Sequence, residues 1–443
     1  MLPILFQNVV TNLVSLVDNI MVGQVGTEPM SGVAIANQLI FVFLLSIYGG
    51  LSGAGIYTSQ FFGQGNKKGI ANTFKMKVYL GIACVAIFAF VFFVFGKDLI
   101  NIFLHQGTEV LDIDATFEYG IHYLRLMTIQ MIPFMIMQVY STTLRECGET
   151  MLPLKASLIA VACNVVGNYI LIFGKLGLPA LGVTGAAIAT IIARFVECGI
   201  LIIYTHSHKD RFSFILEVFK SFKIPIDLAK EMIKKTMPLL INEFLWSAGM
   251  AMLNQCYSMK GLEVVSATNI SSTVVNLFTC GMLAMGNTIS IMIGQRLGQG
   301  RLKEAVEEDK ILIVLTLFIT IVLAGIMALC AKPISNIYNT TEMIKDMATK
   351  FMWVSAIFMS FNAITTSCYF TLRSGGKTFI TFIFDSFFLW VFFVSSAFIL
   401  SRFTDLPIFA IYFIVNSFFI VKSIIGLIMV KSKKWVVNLV ENK

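Results

Sequence analysis

Gln60-Phe61-Phe62-Gly63-Gln64-Gly65-Asn66-Lys67-Lys68 returns 235 residues later as Gln295-Arg296-Leu297-Gly298-Gln299-Gly300-Arg301-Leu302-Lys303. A second pair repeats in the same order. Thr143-Leu144-Arg145 with Gly148 and Thr150 reappears, 228 residues on, as Thr371-Leu372-Arg373 with Gly376 and Thr378. Pro3 and Pro238 are again 235 apart, and each is expected to open the first helix of its half. Motifs recurring in order at nearly constant offset mark a duplicated unit of about 230 residues. The glycines of the first motif are expected to be helix ends, because glycine just past a helix adopts the left-handed conformation at little cost.

Each copy is embedded in long apolar blocks. Hydrophobic residues make up 57% of the 443-residue chain and charged residues only 13%, which is more apolar surface than a soluble domain can bury. A helix needs ~20 apolar residues to cross ~30 Å of hydrocarbon. Blocks of that kind predict helices over 3–24, 33–62, 74–96, 118–142, 153–174, 182–205, 236–258, 264–295, 311–331, 350–372, 378–400 and 407–430. The fold class is therefore an all-α integral membrane protein, with twelve transmembrane helices in two parallel-repeat six-helix bundles. Six crossings per half is an even number, so both halves enter from the same side. The expected divisions are an N-lobe over 1–205, a cytoplasmic amphipathic linker over 206–235, a C-lobe over 236–430 and a basic cytoplasmic tail over 431–443. Two bundles arranged in this way can enclose a cleft that opens to either face.

Of the 33 Lys and Arg, 23 fall in loops, the helix ends beside them or the tail on the side where the chain starts, 7 likewise on the opposite side, and 3 deep inside helices. The positive-inside rule then makes the starting side cytoplasmic, with both termini inside a multi-pass cell (plasma) membrane protein. The net charge of +8 follows from this bias and from attraction to lipid headgroups, not from nucleic-acid binding. In the linker, Phe212, Phe214, Ile215, Phe219 and Phe222 among basic residues predict a segment lying on the membrane surface. No basic n-region of a cleavable signal peptide precedes the first apolar segment, and the abrupt Met1-Leu2-Pro3 start suggests that a short N-terminal piece is missing. The eight cysteines form no C-x-x-C pair and read as small apolar packing residues. No Walker motif is present, so no nucleotide-driven pump is implied. The four histidines, His105, His122, His206 and His208, lie in or near loops and read as solvated. With no H-E-x-x-H motif and no paired intramembrane aspartates, an enzyme is not expected.

Beyond the repeat, the chain reads Leu2-Pro3 through Gln7-Asn8, then Val17-Asp18-Asn19 to Gly23. Asn164-Val165-Val166-Gly167-Asn168 follows, and later Gly182-Val183-Thr184-Gly185 to Thr190. With the GQG loop and Thr-Leu-Arg motifs, this order resembles the multidrug and toxic compound extrusion (MATE) family over essentially the whole chain. The resemblance implies a twelve-helix antiporter that exports small organic, often cationic and amphipathic, compounds in exchange for Na+ or H+. It implies no cofactor beyond that coupling ion. Membrane lipids are the other expected partners, and the protein is expected to be a monomer. A lipid-linked oligosaccharide flippase of the same superfamily is the alternative, although such proteins tend to have fourteen helices and a more cationic cavity.

Ionisable groups at bilayer depth need a partner or a wet cavity and mark candidate sites. The resemblance makes Asp18 the N-lobe acid, binding the coupling cation with Asn164, Asn168 and Thr190. The residues agree with this: Asn164 and Asn168 are four apart and share one helix face, and amide and hydroxyl oxygens are hard ligands suited to Na+. Only one carboxylate is present, so Na+ and H+ both remain open. The plainer reading is a hydrogen-bond cluster that packs the lobe. Glu243 is the C-lobe candidate for cation coupling, against a salt bridge to Lys234 or Lys235. Asp385 is a possible further site, against pairing with Lys422. Arg194 and Glu197, three apart, are expected to neutralise each other, and Arg125 to snorkel or to pair with Glu118. Forty phenylalanines and 23 methionines supply lipid-facing and packing surface, a fraction of them for a cleft.

Overall fold

The computed structural model describes residues 3–441 except 5, 8, 9, 11–17, 19, 20, 23, 104–112 and 339. Of the first expected helix, positions 3, 4, 6, 7, 10, 18, 21 and 22 are described and helical, and are labelled together α1. Asn8, Val17, Asn19, Gly23 and His105 lie outside the described residues. The chain continues as α2 (Thr27–Gln64), α3 (Lys67–Phe103), α4 (Ile113–Met127), α5 (Met131–Glu146), α6 (Met151–Phe173), α7 (Gly182–Ser207) and α8 (Phe214–Lys220). Then come α9 (Ile226–Ser258), α10 (Leu262–Gly298), α11 (Leu302–Ile337), α12 (Glu342–Ser374), α13 (Thr378–Phe382), α14 (Ser395–Phe403) and α15 (Ile408–Lys431). Among the described residues, nine helices are long and apolar enough to cross a membrane. The other three crossings are α1, the α4–α5 pair, and α9, whose first half carries Asp227, Lys230, Glu231, Lys234 and Lys235.

Three elements differ from the expectation of plain helices. The fourth crossing is broken, because Pro133 has no N–H and its ring bars a continuous ladder; it sits instead in the first turn of a new helix. The eleventh is interrupted by π-helix at Ile383–Phe387 and Leu389–Val394. Pro238 does not open its helix but lies twelve residues inside α9.

The described chain forms two compact units. Of the described residues, one comprises those within 3–58 and 67–232, the other those within 59–66 and 233–441. They are called the N-unit and the C-unit. The linker is held to the N-unit. Phe212, Phe214, Ile215 and Val218 are buried, and Phe214 meets the Phe74 ring at 6.1 Å. Phe219 and Phe222 alone of the expected apolar set stay exposed. The Tyr57 hydroxyl donates to Glu231 at 3.2 Å, and Arg211 pairs with Glu149.

The C-unit takes the end of α2 and the tail. Gly63 and Gly298 are not caps. A methyl group on Gly63 would lie 2.0 Å from the Gln295 carbonyl oxygen, and one on Gly298 would lie 1.9 Å from that of Gln60. The repeated motif therefore closes on its own copy, glycine against the other's glutamine backbone. Gly65 (φ 76°) and Gly300 (φ 74°) do cap their helices. Behind them, Asn66 N–H bonds the Phe61 carbonyl at 2.9 Å and Arg301 N–H the Arg296 carbonyl at 3.1 Å, the same six-to-one closure in both repeats. The tail folds back onto the C-unit. Trp435 is 1% exposed, and its carbonyl lies against Gly375, where a methyl group would come within 1.7 Å. The Gln60 amide donates to the Ser374 carbonyl at 3.1 Å and accepts from the Leu439 N–H at 2.7 Å, while Gln64 donates to the Val440 carbonyl at 3.0 Å.

Gly63→Ala and Gly298→Ala are expected to remove folded protein, because backbone on both sides bars relaxation. Gly65→Ala, where nothing lies within 4 Å, is expected to cost only about 1–2 kcal/mol for its left-handed backbone. The yield of monodisperse protein and thermal unfolding in detergent check this; similar behaviour of all three variants would refute the close crossing.

Candidate cation site in the N-unit

Asp18 of α1 is half-buried and faces α6. Helical spacing places Asn164 and Asn168 one turn apart on the buried side of α6, 5% and 1% exposed. The Asn168 amide donates to Asp18 Oδ1 at 2.5 Å. With its amide nitrogen toward the acid, Asn164 donates to Asp18 Oδ1 at 2.8 Å and accepts from the Thr190 hydroxyl at 3.2 Å. The four residues singled out from sequence are thus brought together by three helices. Asn168 Oδ1 is buried with no hydrogen-bond donor. An unsatisfied buried acceptor beside a carboxylate is an unusual and costly arrangement. Carboxylate, amide and hydroxyl oxygens are a donor set for a hard cation or a proton. Among the described residues no group of three His, Cys, Asp or Glu side chains forms a metal cluster, so this site depends on neutral oxygens.

Sequence reading missed two neighbours of Asp18, Tyr123 and Asn37, and placed a third, Arg194, only with Glu197. Tyr123 of α4 is buried within electrostatic reach of Asp18 and bonds Asn37 of α2. Arg194 of α7, one turn beyond Thr190, also acts on Asp18. It holds Glu197 at 2.9 Å, as its spacing predicts, and lies over the Phe134 ring at 5.4 Å. Neither Asn37 nor Tyr123 carries a charge, so nothing in the sequence distinguished them from other helix polar groups.

In the C-unit, Glu243 is half-buried, and the charges acting on it are Arg373 and Asp385, not Lys234 or Lys235. Lys235 donates to the Gly376 carbonyl at 2.7 Å. Asp385 is held by Lys422 at 2.8 Å and by the Asn242 amide at 3.1 Å, the first of these being the pairing considered from sequence.

Several cations assigned to loops are inside the protein. Lys77 is fully buried against Glu146, Thr142 and Thr143. Arg373 is 7% exposed over the Phe370 ring. Arg145, its repeat mate, reaches Gln7 at 2.7 Å. The acid Asp309, which carried no reading from sequence, is also inside: it is 1% exposed and accepts from Thr371 at 2.5 Å. His206 is half-buried and bonds the Tyr140 hydroxyl at 2.9 Å rather than standing in solvent. Arg125 is exposed, with no ion pair to Glu118 among the described residues.

Comparison with known proteins agrees with this architecture. The sequence model described as MatE matches residues 3–170 and again 238–399, once in each half. The chain is similar to a probable multidrug resistance protein NorM of Thermotoga maritima, 26% identical over 98% of this chain and 91% of that protein. It is also similar to its namesake from Oceanobacillus iheyensis, 24% identical over 92% and 89%. Among solved structures, the fold matches a multidrug resistance MATE family transporter of the MOP superfamily in an outward-facing conformation, with TM-score 0.84 and 19% identity over 98% of this chain and 95% of that one. It also matches a MATE crystal structure in a bent conformation, with TM-score 0.86 and 18% identity over 98% and 94%.

Arg194→Met leaves Glu197 buried without its counter-charge. It is expected to cost about 3–5 kcal/mol, while the double Arg194→Met/Glu197→Met variant recovers most of that loss. Thermal unfolding of the purified variants is the measurement; a double variant as unstable as the single would contradict the pairing.

Proposed function

The chain belongs to the MatE family, and from that premise we propose that it is a secondary antiporter exporting small organic, cationic and amphipathic compounds in exchange for Na+ or H+ by alternating access. It is a multi-pass membrane transporter, not an enzyme, and the site chemistry fits that role: it offers ligands and a proton acceptor but no nucleophile–base pair. The multidrug resistance names of the relatives support an organic substrate. The charge bias of the loops supports a plasma-membrane setting with both termini cytoplasmic. Lipid headgroups and tails are its other contacts, and it works as a monomer.

The observation that carries the coupling role is Asp18 held by Asn164 and Asn168, with Asn168 Oδ1 left unsatisfied beside it. A cation arriving at Asp18 gains the carboxylate together with that oxygen. The Asn168 amide, which now donates to the carboxylate, must turn or shift as this happens. A proton arriving there removes the charge that both amides serve. Either event changes the packing of α1 against α6 and α7. Export follows if the cation and the organic substrate favour different states of the same molecule, since a ligand shifts an equilibrium only by its differential affinity. Thr190 tunes the site through Asn164. Glu243, with Arg373 and Asp385 in reach, is the second coupling position. The lipid-linked oligosaccharide reading is not favoured by any of these residues.

Proteoliposomes carrying the wild type and Asp18→Asn, given separate Na+ and H+ gradients and a panel of cationic dyes, test the proposal. Gradient-driven export is expected to fall on the order of tenfold or more in the variant. The gradient that drives the wild type identifies the ion. Unchanged ion-driven export by Asp18→Asn would sink the coupling role. Glu243→Gln is expected to weaken export less than Asp18→Asn does in the same assay; full activity would remove Glu243 from the site.

A further inference from the structure

Lys422 lies in the fifteenth position of the 24-residue apolar helix α15, and it is 5% exposed. A lysine there needs a reason, because α15 is otherwise free of charge until its last residue. Its ammonium is 2.8 Å from Asp385 Oδ1, 5.4 Å from the centre of the Phe384 ring and 5.9 Å from that of Phe388. The other carboxylate oxygen accepts from the Asn242 amide at 3.1 Å. The oxygen of that amide accepts from the Ser386 hydroxyl at 2.7 Å. A carboxylate and two aromatic faces around one nitrogen, with the carboxylate itself fixed from behind by the amide, have the composition of a site for an organic ammonium.

The frame of this box is built, not incidental. Asp385, Phe384 and Ser386 lie on one π-helical segment, and Trp390 on the next. The widened turns let two sets of side chains point in different directions. Phe384, Asp385 and Phe388 meet the ammonium of α15. Ser386 and Trp390 reach back to α9: the one Ser386 hydroxyl proton is shared between the Asn242 side-chain oxygen and its backbone carbonyl at 2.8 Å, and the Trp390 N–H donates to the Leu245 carbonyl at 2.9 Å. Gly249 lets Leu389 and Trp390 close on α9, since a methyl group there would meet Leu389 at 2.6 Å. Local π-helix of this kind is frequent at functional sites. The box is reachable as well, because the Asp385 side chain is 22% exposed while that of Lys422 is 6% exposed.

We propose that Lys422 is a tethered cation occupying an organic-ammonium box of the C-unit, and that it thereby keeps cationic amines from binding at Asp385. Lys422 is then a specificity-determining residue: with it in place, Asp385 is neither a free cation site nor a coupling position, and the C-unit presents a neutral wall there. Without it, the box binds a primary alkylammonium. The inference refines the transporter reading, but its binding test needs no transport, so the two fail separately.

Full-length Lys422→Ala, purified in detergent, is titrated with n-propylammonium, which replaces the atoms removed beyond Cβ. Thermal unfolding is followed by size-exclusion chromatography of heated samples. The variant is expected to unfold earlier than the wild type, and propylammonium to restore its midpoint by a few degrees with saturation. Wild type, Lys422→Ala/Asp385→Ala, and propanol in place of the amine are expected to show no such shift. No shift in Lys422→Ala, an equal shift in wild type or in the double variant, or an equal shift with propanol would overturn the proposal. If Lys422→Ala alone yields no folded protein, propylammonium added through growth and extraction is expected to recover it. A folded double variant with no such recovery of the single one would equally overturn it.

Discussion

A charge placed in hydrocarbon must be answered by the protein that carries it, because the bilayer offers neither water nor counter-ion. Most of the internal order of each unit follows from that constraint. In the N-unit, Lys77 is closed by Glu146 with Thr142 and Thr143, and Arg194 by Glu197. In the C-unit, Asp385 is closed by Lys422 and Asn242. Each closure joins helices distant in sequence, or sets the face a helix presents. Asp18 stands apart: its hydrogen bonds come from neutral amides, beside an oxygen with no donor, and Arg194 acts on it only from beyond ion-pair distance. A site completed by neutral groups can gain or lose a positive charge without dismantling an ion pair, which suits an acid whose occupancy changes during a transport cycle.

The duplication supplies scaffold more faithfully than chemistry. Four cap glycines, Gly65, Gly300, Gly148 and Gly376, take the same left-handed turn at matching positions. Thr143 and Thr371 are mates, and both bind a buried charged side chain from the preceding long helix. In the N-unit that partner is the cation Lys77, whereas in the C-unit it is the acid Asp309. The same hydroxyl serves either sign, since it can accept or donate.

Much of the fold was legible from the sequence for a plain reason. Apolar blocks of bilayer length and motifs at fixed offset are long-range signals that no local ambiguity can erase. The ion pair Arg194–Glu197 and the shared face of Asn164 and Asn168 were legible because helix periodicity is short and regular; joining Asp18 and Thr190 to those asparagines came from the family resemblance. What escaped depends on tertiary placement. Lys77 was counted with the loop cations and Asp309 was not singled out, because each lies beside other charges near a helix start, and only the packing of α3 and α11 buries them. The π-helix in the eleventh crossing has no residue-type signature among Phe, Leu and Val. Gly63 and Gly298 read as caps because their neighbours Gly65 and Gly300 are caps; the carbonyl pressing on each belongs to the other copy.

The clasp around Gln60 also dictates an order of assembly. Its amide meets backbone groups of residues more than three hundred positions downstream, the last of them in the segment after α15. The end of α2 is made early in synthesis, and its glutamine gains these partners only after the whole second half has followed. Only when Val437 to Val440 arrive is the seat complete. The polypeptide thus carries a built-in completion check. A chain stopped before its final dozen residues has every crossing in the bilayer, yet it presents an open glutamine, an exposed Gly375 and an unfilled place for Trp435, the kind of surface that membrane quality control can recognise.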